Sequence, residues 1–355
     1  MNLNLLVPKI GEWLKANGPE GDIVLSTRIR LARNLADYPF SNRASPMQKK
    51  EIEEKLRHVI THLDHGSGFH YISVDSLNSL DRLFLLERQL ISRELANVIE
   101  GARGVAFDDR EAVSIMINEE DQLRIQVIRS GFALDSAWEE IDRLDDLIES
   151  KVHYAFSEQF GYLTACPTNV GTGMRASVML HLPGLGLTKQ IEMAFKALQR
   201  INLVVRGLYG EGSRAFGDLF QISNQVTLGK SEASALTDIR EVVTEILKFE
   251  RMARSVLVRE NRQALQDRVA RSLGTLQSAQ MINAEETMEL LSTVRLGVHL
   301  KLISIDIPFL NELFMQTQSA HLQKLVGESL DGEARNSARA RYLRNRLRDI
   351  GAANN

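Results

Sequence analysis

Two arginines one residue apart, Arg28 and Arg30 in the run Leu25-Ser26-Thr27-Arg28-Ile29-Arg30-Leu31-Ala32-Arg33-Asn34, offer the first chemistry in this 355-residue chain. On an alternating strand they project to the same face, and two planar guanidinium forks there suit a phosphate. Arginine forks serve surface ion pairs as readily, so the pair alone leaves both readings open. Two nucleotide signatures nearly form and fail. Gly229-Lys230-Ser231 ends like a phosphate-binding Walker A loop, but Asn224 stands where the first glycine belongs, and the segment reads as a turn before a helix. Gly171-Thr172-Gly173-Met174-Arg175-Ala176 fits a relaxed dinucleotide fingerprint, yet strand-like sequence follows where a helix is required. His58, His62, His65 and His70 invite a metal, the first three on one helical face. With no cysteine or organised carboxylate set beside them they read as surface or partly buried histidines, and no metal site is expected.

The elements that must position these residues follow from composition and pattern. With 44% hydrophobic and 25% charged residues the chain is ordinary globular protein, long enough for two cores. Its 43 Lys and Arg against 46 Asp and Glu, a net charge of -3, exclude a bulk polyanion binder or polybasic membrane anchor, so any basic function is local. The single cysteine, Cys166, rules out an internal disulfide framework and fits a reducing, cytoplasmic compartment. Residues 1–10 lack the charged leader and cleavage site of a signal peptide, and no apolar run approaches the roughly 20 residues of a membrane helix. Strands are predicted at 112–117 and 123–128, joined as a hairpin by Asn118-Glu119-Glu120-Asp121, and at 161–165 and 176–181, either side of the turn at 167–173. Short turns between neighbours favour antiparallel pairing. From Thr237 the pattern becomes helical: Ile239, Val242, Ile246, Leu247 and Met252 recur at helical spacing, and Asp238 with Glu241 predicts a capping box. Asn283 with Glu286 marks a second helix start, Pro308 a third, and 333–349 a charged final helix. The fold class expected is α/β, more narrowly α+β: a catalytic domain at 1–256 with a largely antiparallel sheet flanked by helices, then an all-helical C-terminal domain at 257–355.

In order along the chain stand Arg28 and Arg30, Asn118-Glu119-Glu120-Asp121-Gln122-Leu123-Arg124, Cys166-Pro167-Thr168-Asn169-Val170-Gly171-Thr172-Gly173-Met174-Arg175, Arg206-Gly207, and Phe220-Gln221-Ile222-Ser223-Asn224-Gln225 with Leu228-Gly229. This set closely resembles the catalytic domain of the phosphagen (guanidino) kinases, from about Ser26 to Met252. Within that superfamily the stretch from Thr164 to Met179 and Arg206-Gly207-Leu208-Tyr209-Gly210-Glu211-Gly212 are more similar to the bacterial protein arginine kinases than to the creatine or free-arginine enzymes. The short sequence before Arg28, without room for the helical N-terminal domain of the metabolite kinases, and the extra C-terminal helical domain point the same way.

The resemblance implies ATP and Mg²⁺, with transfer of the γ-phosphoryl group to arginine side chains of proteins. A guanidinium is a poor nucleophile, because its pKa exceeds ~12 and its charge is delocalised, so a carboxylate must orient it and accept a proton. Glu120 matches the family's catalytic glutamate. Glu211 is then the second carboxylate, Cys166 a thiolate beside the guanidinium aided by Thr168, and Arg206 part of the transfer machinery. Nucleotide binding is implied for Ser26, Thr27, Arg28, Ile29, Arg30, Gln89, Arg124, Arg175, Ala176, Ser177, Val178, Met179, Arg206, Gly207, Leu208, Tyr209, Gly210 and Glu211. Mg²⁺ is expected to be held by ATP and water, since no separate carboxylate cage is offered.

Two departures stand out. Gln89 replaces the histidine the family usually has near adenine. In the last helix Arg335-Asn336-Ser337-Ala338-Arg339-Ala340 replaces an Arg-Asp-x-x-Arg-Ala pocket for activating phosphoarginine. Asn336 keeps an acceptor and loses the charge, leaving Arg335 and Arg339 for the phosphate and Ala340 in its place. That helix, with Arg341, Arg344, Arg346 and Arg348, reads equally well as a solvated face; with only Tyr342 interleaved it does not suit nucleic acid. The implied partners are arginine-bearing protein substrates, a zinc-binding activator protein, a stress-response repressor and a Clp-type protease that degrades the marked proteins, with a homodimer formed through the helical domain. The rival functions are a small-molecule guanidino kinase and a phosphoarginine-binding adaptor with weak catalysis.

Overall fold

The computed structural model describes residues 2–66, 68–97, 101–198, 203–207, 216–348 and 350, the side chains of 196–198 and 206–207 excepted. Its strands are β1 (Val24–Arg33), β2 (Phe69–Ser73), β3 (Gly104–Asp108), β4 (Val113–Ile117), β5 (Leu123–Ser130), β6 (Phe156–Ser157), β7 (Gly161–Tyr162), β8 (Met174–His181), β9 (Leu203–Gly207) and β10 (Leu219–Asn224). Eight of them form one sheet in the order β2-β3-β4-β5-β1-β8-β10-β9, with neighbouring strands antiparallel throughout. The helices are α1 (Pro46–Thr61), α2 (Ser79–Glu87), α3 (Arg93–Asn97), α4 (Leu134–Glu149), α5 (Pro183–Leu187), α6 (Ile191–Leu198), α7 (Glu232–Ser278), α8 (Ala284–His299), α9 (Ile307–Gln316), α10 (Ser319–Val326) and α11 (Gly332–Leu347).

Strand alternation sorts the sheet into a greasy back and a polar front. Ile29, Leu31, Ile125, Val127, Ala176 and Val178 face the back, where α1, α4 and the first half of α7 bury them under Ile52, Leu56, Ile141, Leu144, Ile239 and Val243. Apolar side chains cover the front at its two flanks and, through Trp13 and Leu14, over Ile128 of β5. Phe107 and Met116 pack under α2 and α3 with Phe84, Leu85 and Leu95, and Met179 and Leu219 pack under α8 and α9 with Met288, Leu291 and Leu313. Between these two apolar flanks the central strands present arginines.

The hairpin across residues 118–121 forms as expected, with the Asn118 amide donating to Gln122 O at 3.0 Å. Three expectations change. Residues 161–165 do not form a strand of the sheet: only Gly161–Tyr162 is extended, and it pairs with β6 in a separate two-stranded unit. Beyond Tyr162 the chain donates sideways, Leu163 N to Ala155 O and Ala165 N to the Asp121 carboxylate, before Pro167 opens a 3-10 turn. The long helix begins earlier than the Asp238 signal: Ser231 caps it, accepting from Ser234 N, while Asp238 pairs with Lys230 at 2.5 Å. Helix α7 then runs 47 residues with non-helical backbone at Asn261 (φ −136). The third change is His65, which lies beyond the end of α1 and is buried, so only His58 and His62 stack on one helical face.

Candidate active site

Arg28, Arg30, Arg124 and Arg175 meet on the front of the sheet because register places them there. Arg30 lies opposite Arg175 on one side and Gln126 on the other, and Arg124 lies opposite Ala32, one pleat along. Arg28 donates to the side-chain oxygens of Gln89 and Gln221, each at 2.9 Å. Arg124 donates to buried Glu119 at 2.6 Å and its other nitrogen is 3.5 Å from Glu120. The Nε of Arg30 is buried without a hydrogen-bond partner. Burial, then the positive charge of Arg124 and Arg175, lowers the Arg28 guanidinium to about 10, and Arg30 is held well below its ordinary value by burial and the charges of Arg28, Arg124 and Arg175. Such a concentration of cations attracts an anion to the space in front of it.

Glu120 sits at one end of this floor. The Asn118 side chain fixes the start of its turn, donating to Lys49 O (2.7 Å) and Ala102 O (2.9 Å), and Glu119 accepts from Ser92 and from the Glu120 amide. Asp121 binds the neighbouring segment: its carboxylate accepts from Asn34 and from the Ala165 amide, both at 2.7 Å. Cys166 is thereby brought beside Glu120, with its Sγ 3.0 Å from Thr168 Oγ1. Burial lifts the Glu120 carboxyl above its ordinary value. Asp121 and Glu119 add to the rise, while Arg124 and Cys166 oppose it. The Glu120 side chain remains 42% exposed, on a hollow of about 170 Å³ that it shares with Arg30, Arg124, Thr168, Asn169 and Arg175. The turn beside that hollow needs glycine: Gly171 (φ +111) would drive a Cβ to 2.3 Å from Thr227 O, and Gly173 (φ +63) to 2.6 Å from Ala32 O.

At the other end of the floor a cleft of about 660 Å³ opens between the α2–α3 connection and the C-terminal helices, lined by Arg28, Gln89, Gln221, Phe216, Met288 and Gln318 among others. Gln89 holds a left-handed backbone (φ +63). Its neighbours enforce it: Arg88 is buried in an ion pair with Glu111, and Glu87 accepts from the Ala320 and His321 amides at the start of α10.

Of the residues implied for nucleotide binding, Arg28, Arg30, Gln89, Arg124 and Arg175 therefore line the front cleft and hollow, while Ser26, Ser177 and Met179 line only a small void of about 10 Å³ beside Arg28 and Gln89. Thr27, Ile29, Ala176 and Val178 do not; alternation turns Ile29, Ala176 and Val178 into the back core, and the Thr27 hydroxyl is buried between Gly131 O and Ala133 N. Arg206 pairs through its backbone with Gln221 on β10, and the side chains of Arg206 and Gly207, with all of Leu208, Tyr209, Gly210 and Glu211, lie outside the described residues. Glu119, Gln126 and Gln221 serve the site without having been singled out. Gln126 shares its strand face with Arg124, a spacing visible in Leu123-Arg124-Ile125-Gln126, whereas the Ser92 partner of Glu119 gave no local signal.

In α11, Arg339 is 1% exposed and spends its donors on Thr317 O (2.7 Å), Ile282 O (3.0 Å) and Asn336 (2.9 Å). Arg335 is half-buried, donating to Leu330 O, and Ala340 is buried against α9.

The sequence matches two families: the ATP:guanido phosphotransferase C-terminal catalytic domain over residues 51–253, and the protein-arginine kinase McsB C-terminal domain over residues 262–355. It is 46% identical to the protein-arginine kinase of Halothermothrix orenii over 349 residues, 98% of this chain and 99% of the relative. The chain belongs to the protein-arginine kinases. A similar protein-arginine kinase from Brevibacillus brevis is also 46% identical, over 95% of each chain. Among solved structures, a lombricine kinase superposes with a TM-score of 0.58 at 25% identity, over 69% of this chain and 70% of that one. A duplicated taurocyamine kinase from Schistosoma mansoni gives 0.60 at 26%, over 66% of this chain and 34% of that one. A protein-arginine kinase is a phosphotransferase acting on arginine side chains of proteins, and the antiparallel sheet flanked by helices is the guanidino-kinase fold. Among the described residues no helix is long and apolar enough to cross a membrane.

Proposed function

We propose that Glu120 orients and deprotonates the acceptor guanidinium, while Arg28, Arg30, Arg124, Arg175 and Arg206 clamp the phosphates of ATP. The observation that carries this reading is the order of groups along the front of the sheet. Glu120 and Cys166 stand at one end, four cationic forks in the middle and the 660 Å³ cleft at the other. That order has room for acceptor, triphosphate and nucleoside in line, the geometry an in-line transfer requires.

The carboxylate of Glu120, raised by burial, is better matched to taking a proton near neutral pH than an ordinary glutamate. Arginine forks stabilise charge on the equatorial oxygens of the transferring group, and the unpartnered Nε of Arg30 is a donor already placed for one of them. Magnesium would enter with ATP and would supply charge neutralisation there, because Glu119 is already spent on Arg124 and Ser92. Glu211 is the proposed second carboxylate, and Gln89, anchored on Arg28, borders the nucleoside.

The wider role rests on family membership alone. It comprises a catalytic region at 1–256, a helical region at 257–355 that joins two copies, a cytoplasmic setting, and marking of proteins for a Clp-type protease alongside a zinc-binding activator and a stress-response repressor. Phosphoarginine recognition at Arg335, Asn336, Arg339 and Ala340 is proposed in weakened form, carried by Arg335, since Arg339 is committed to backbone carbonyls.

The test of the site is Glu120→Gln. Transfer to protein arginine should fall by at least about 100-fold, the usual worth of a general base, while ATP affinity stays within about twofold of the parent. Near-normal turnover removes Glu120 from its role.

A further inference from the structure

The turn 168–173 has two sides. One borders the Glu120 hollow through Thr168, Asn169 and Gly173. The other borders a shallow hollow of about 260 Å³ whose walls are Phe156, Phe160, Tyr162, Gly171, Thr227 and Leu228. Phe156 is 57% exposed, Phe160 44% and Leu228 51%, three of the ten large apolar side chains exposed among the described residues. Scattered singly such residues mean little; gathered around one hollow beside an active site they mark a contact surface.

The two hollows share one rigid wall. Thr227 Oγ1 donates to Thr168 O (3.0 Å) and Val170 O (2.7 Å), behind the catalytic turn. The Tyr162 and Gly171 backbones bond reciprocally at 2.8 and 3.3 Å. The Tyr162 ring lies 3.5 Å from the Arg33 guanidinium, itself buried against Asp145 at 2.6 Å, and the Phe156 ring meets Tyr162 edge-on at 5.3 Å. Nothing need be ordered when a ligand arrives, which favours binding.

We propose that this hollow is the docking groove for residues flanking the target arginine, and that it takes an apolar side chain of an extended protein segment. The proposal rests on the reading of the Glu120 hollow as the acceptor site. The substrate of this family is a protein, so when its arginine enters beside Glu120 the adjoining backbone must cross the rim formed by 168–173. Beyond that rim lies the apolar hollow, continuous with the catalytic turn. The aromatic and leucine walls exclude water from an apolar neighbour, and Lys230, which lines the hollow together with Glu232, is already paired with Asp238. The groove therefore sets which arginines of a protein are preferred.

The test uses two peptides with a single arginine, one flanked by leucine and phenylalanine and one by serine, with the intact enzyme and its Phe160→Ser/Leu228→Ser form. The apolar peptide should have the lower KM with the parent enzyme, and the double variant should raise that KM about tenfold, the effect of losing part of one large apolar contact. The KM of the serine peptide, the KM of ATP and kcat should stay within about twofold, which also reports that the variant is folded. Equal KM for both peptides with the parent enzyme, or equal loss on both with the variant, overturns the proposal. So does a changed oligomeric state with unchanged peptide KM, which assigns the hollow to a second copy of the chain. Failure of the acceptor-site reading shows separately, as persistent activity of Glu120→Gln on both peptides.

Discussion

The role proposed for Glu120 rests on its contrast with Glu119, the residue before it. Glu119 is buried and held by Arg124 and Ser92, so its charge is consumed in fixing a phosphate-facing arginine. Glu120 is left half in solvent with its carboxyl lifted by burial. A base must be ionised to accept the guanidinium proton, so activity is present above its folded pKa and is lost as pH falls through it. The acidic limb of kcat/KM should accordingly lie above 4.5, the ordinary glutamate value. A limb at or below that value would mean that Glu120 is not the titrating base. The shared face of Arg28 and Arg30 was legible from strand alternation, whereas Glu120 was singled out through the family resemblance. Glu119 was not, since its role depends on Ser92, 27 residues away and joined only by the fold.

At the scale of elements, the hairpin β4–β5, the 166–173 turn and the α2–α3 connection converge on β1, and each is tied by one polar residue: Asn118, Asp121 and Glu87. The hairpin was readable from alternation and a polar tip. The place of 161–165 was not, because its hydrogen bonds go to Ala155 and Asp121 rather than to a neighbouring strand. Helix α11 makes a division between its arginines that composition hides. Arg339 is a strut from α11 to the turn between α9 and α10, whereas Arg335 is peripheral. Replacing Arg339 by alanine leaves two buried carbonyls unpaired, Thr317 O and Ile282 O, and should cost about 2–4 kcal/mol in denaturant unfolding. Arg335→Ala should change stability by less than about 0.5 kcal/mol and abolish binding of titrated phosphoarginine. Stability of Arg339→Ala equal to the parent would contradict the strut, and phosphoarginine binding undiminished in Arg335→Ala would contradict its role as the remaining anchor.

Across the whole molecule, one sheet carries a core on its back and chemistry on its front, and the C-terminal helices border the far end of the same cleft that Glu120 begins. Among the described residues the acceptor end is open: Glu120 and Thr168 reach solvent, and an apolar hollow lies just beyond the rim. An open acceptor site gains affinity from the surface around the arginine rather than by enclosing it, so a free amino acid brings too little contact to offset the cost of ordering it. The direct measurement is to incubate the enzyme with Mg-ATP and either free arginine or an unfolded arginine-rich protein, then quantify acid-labile, base-stable phosphoramidate on each. The protein should be labelled efficiently and free arginine poorly. Efficient labelling of free arginine with none on the protein would contradict the account at its centre.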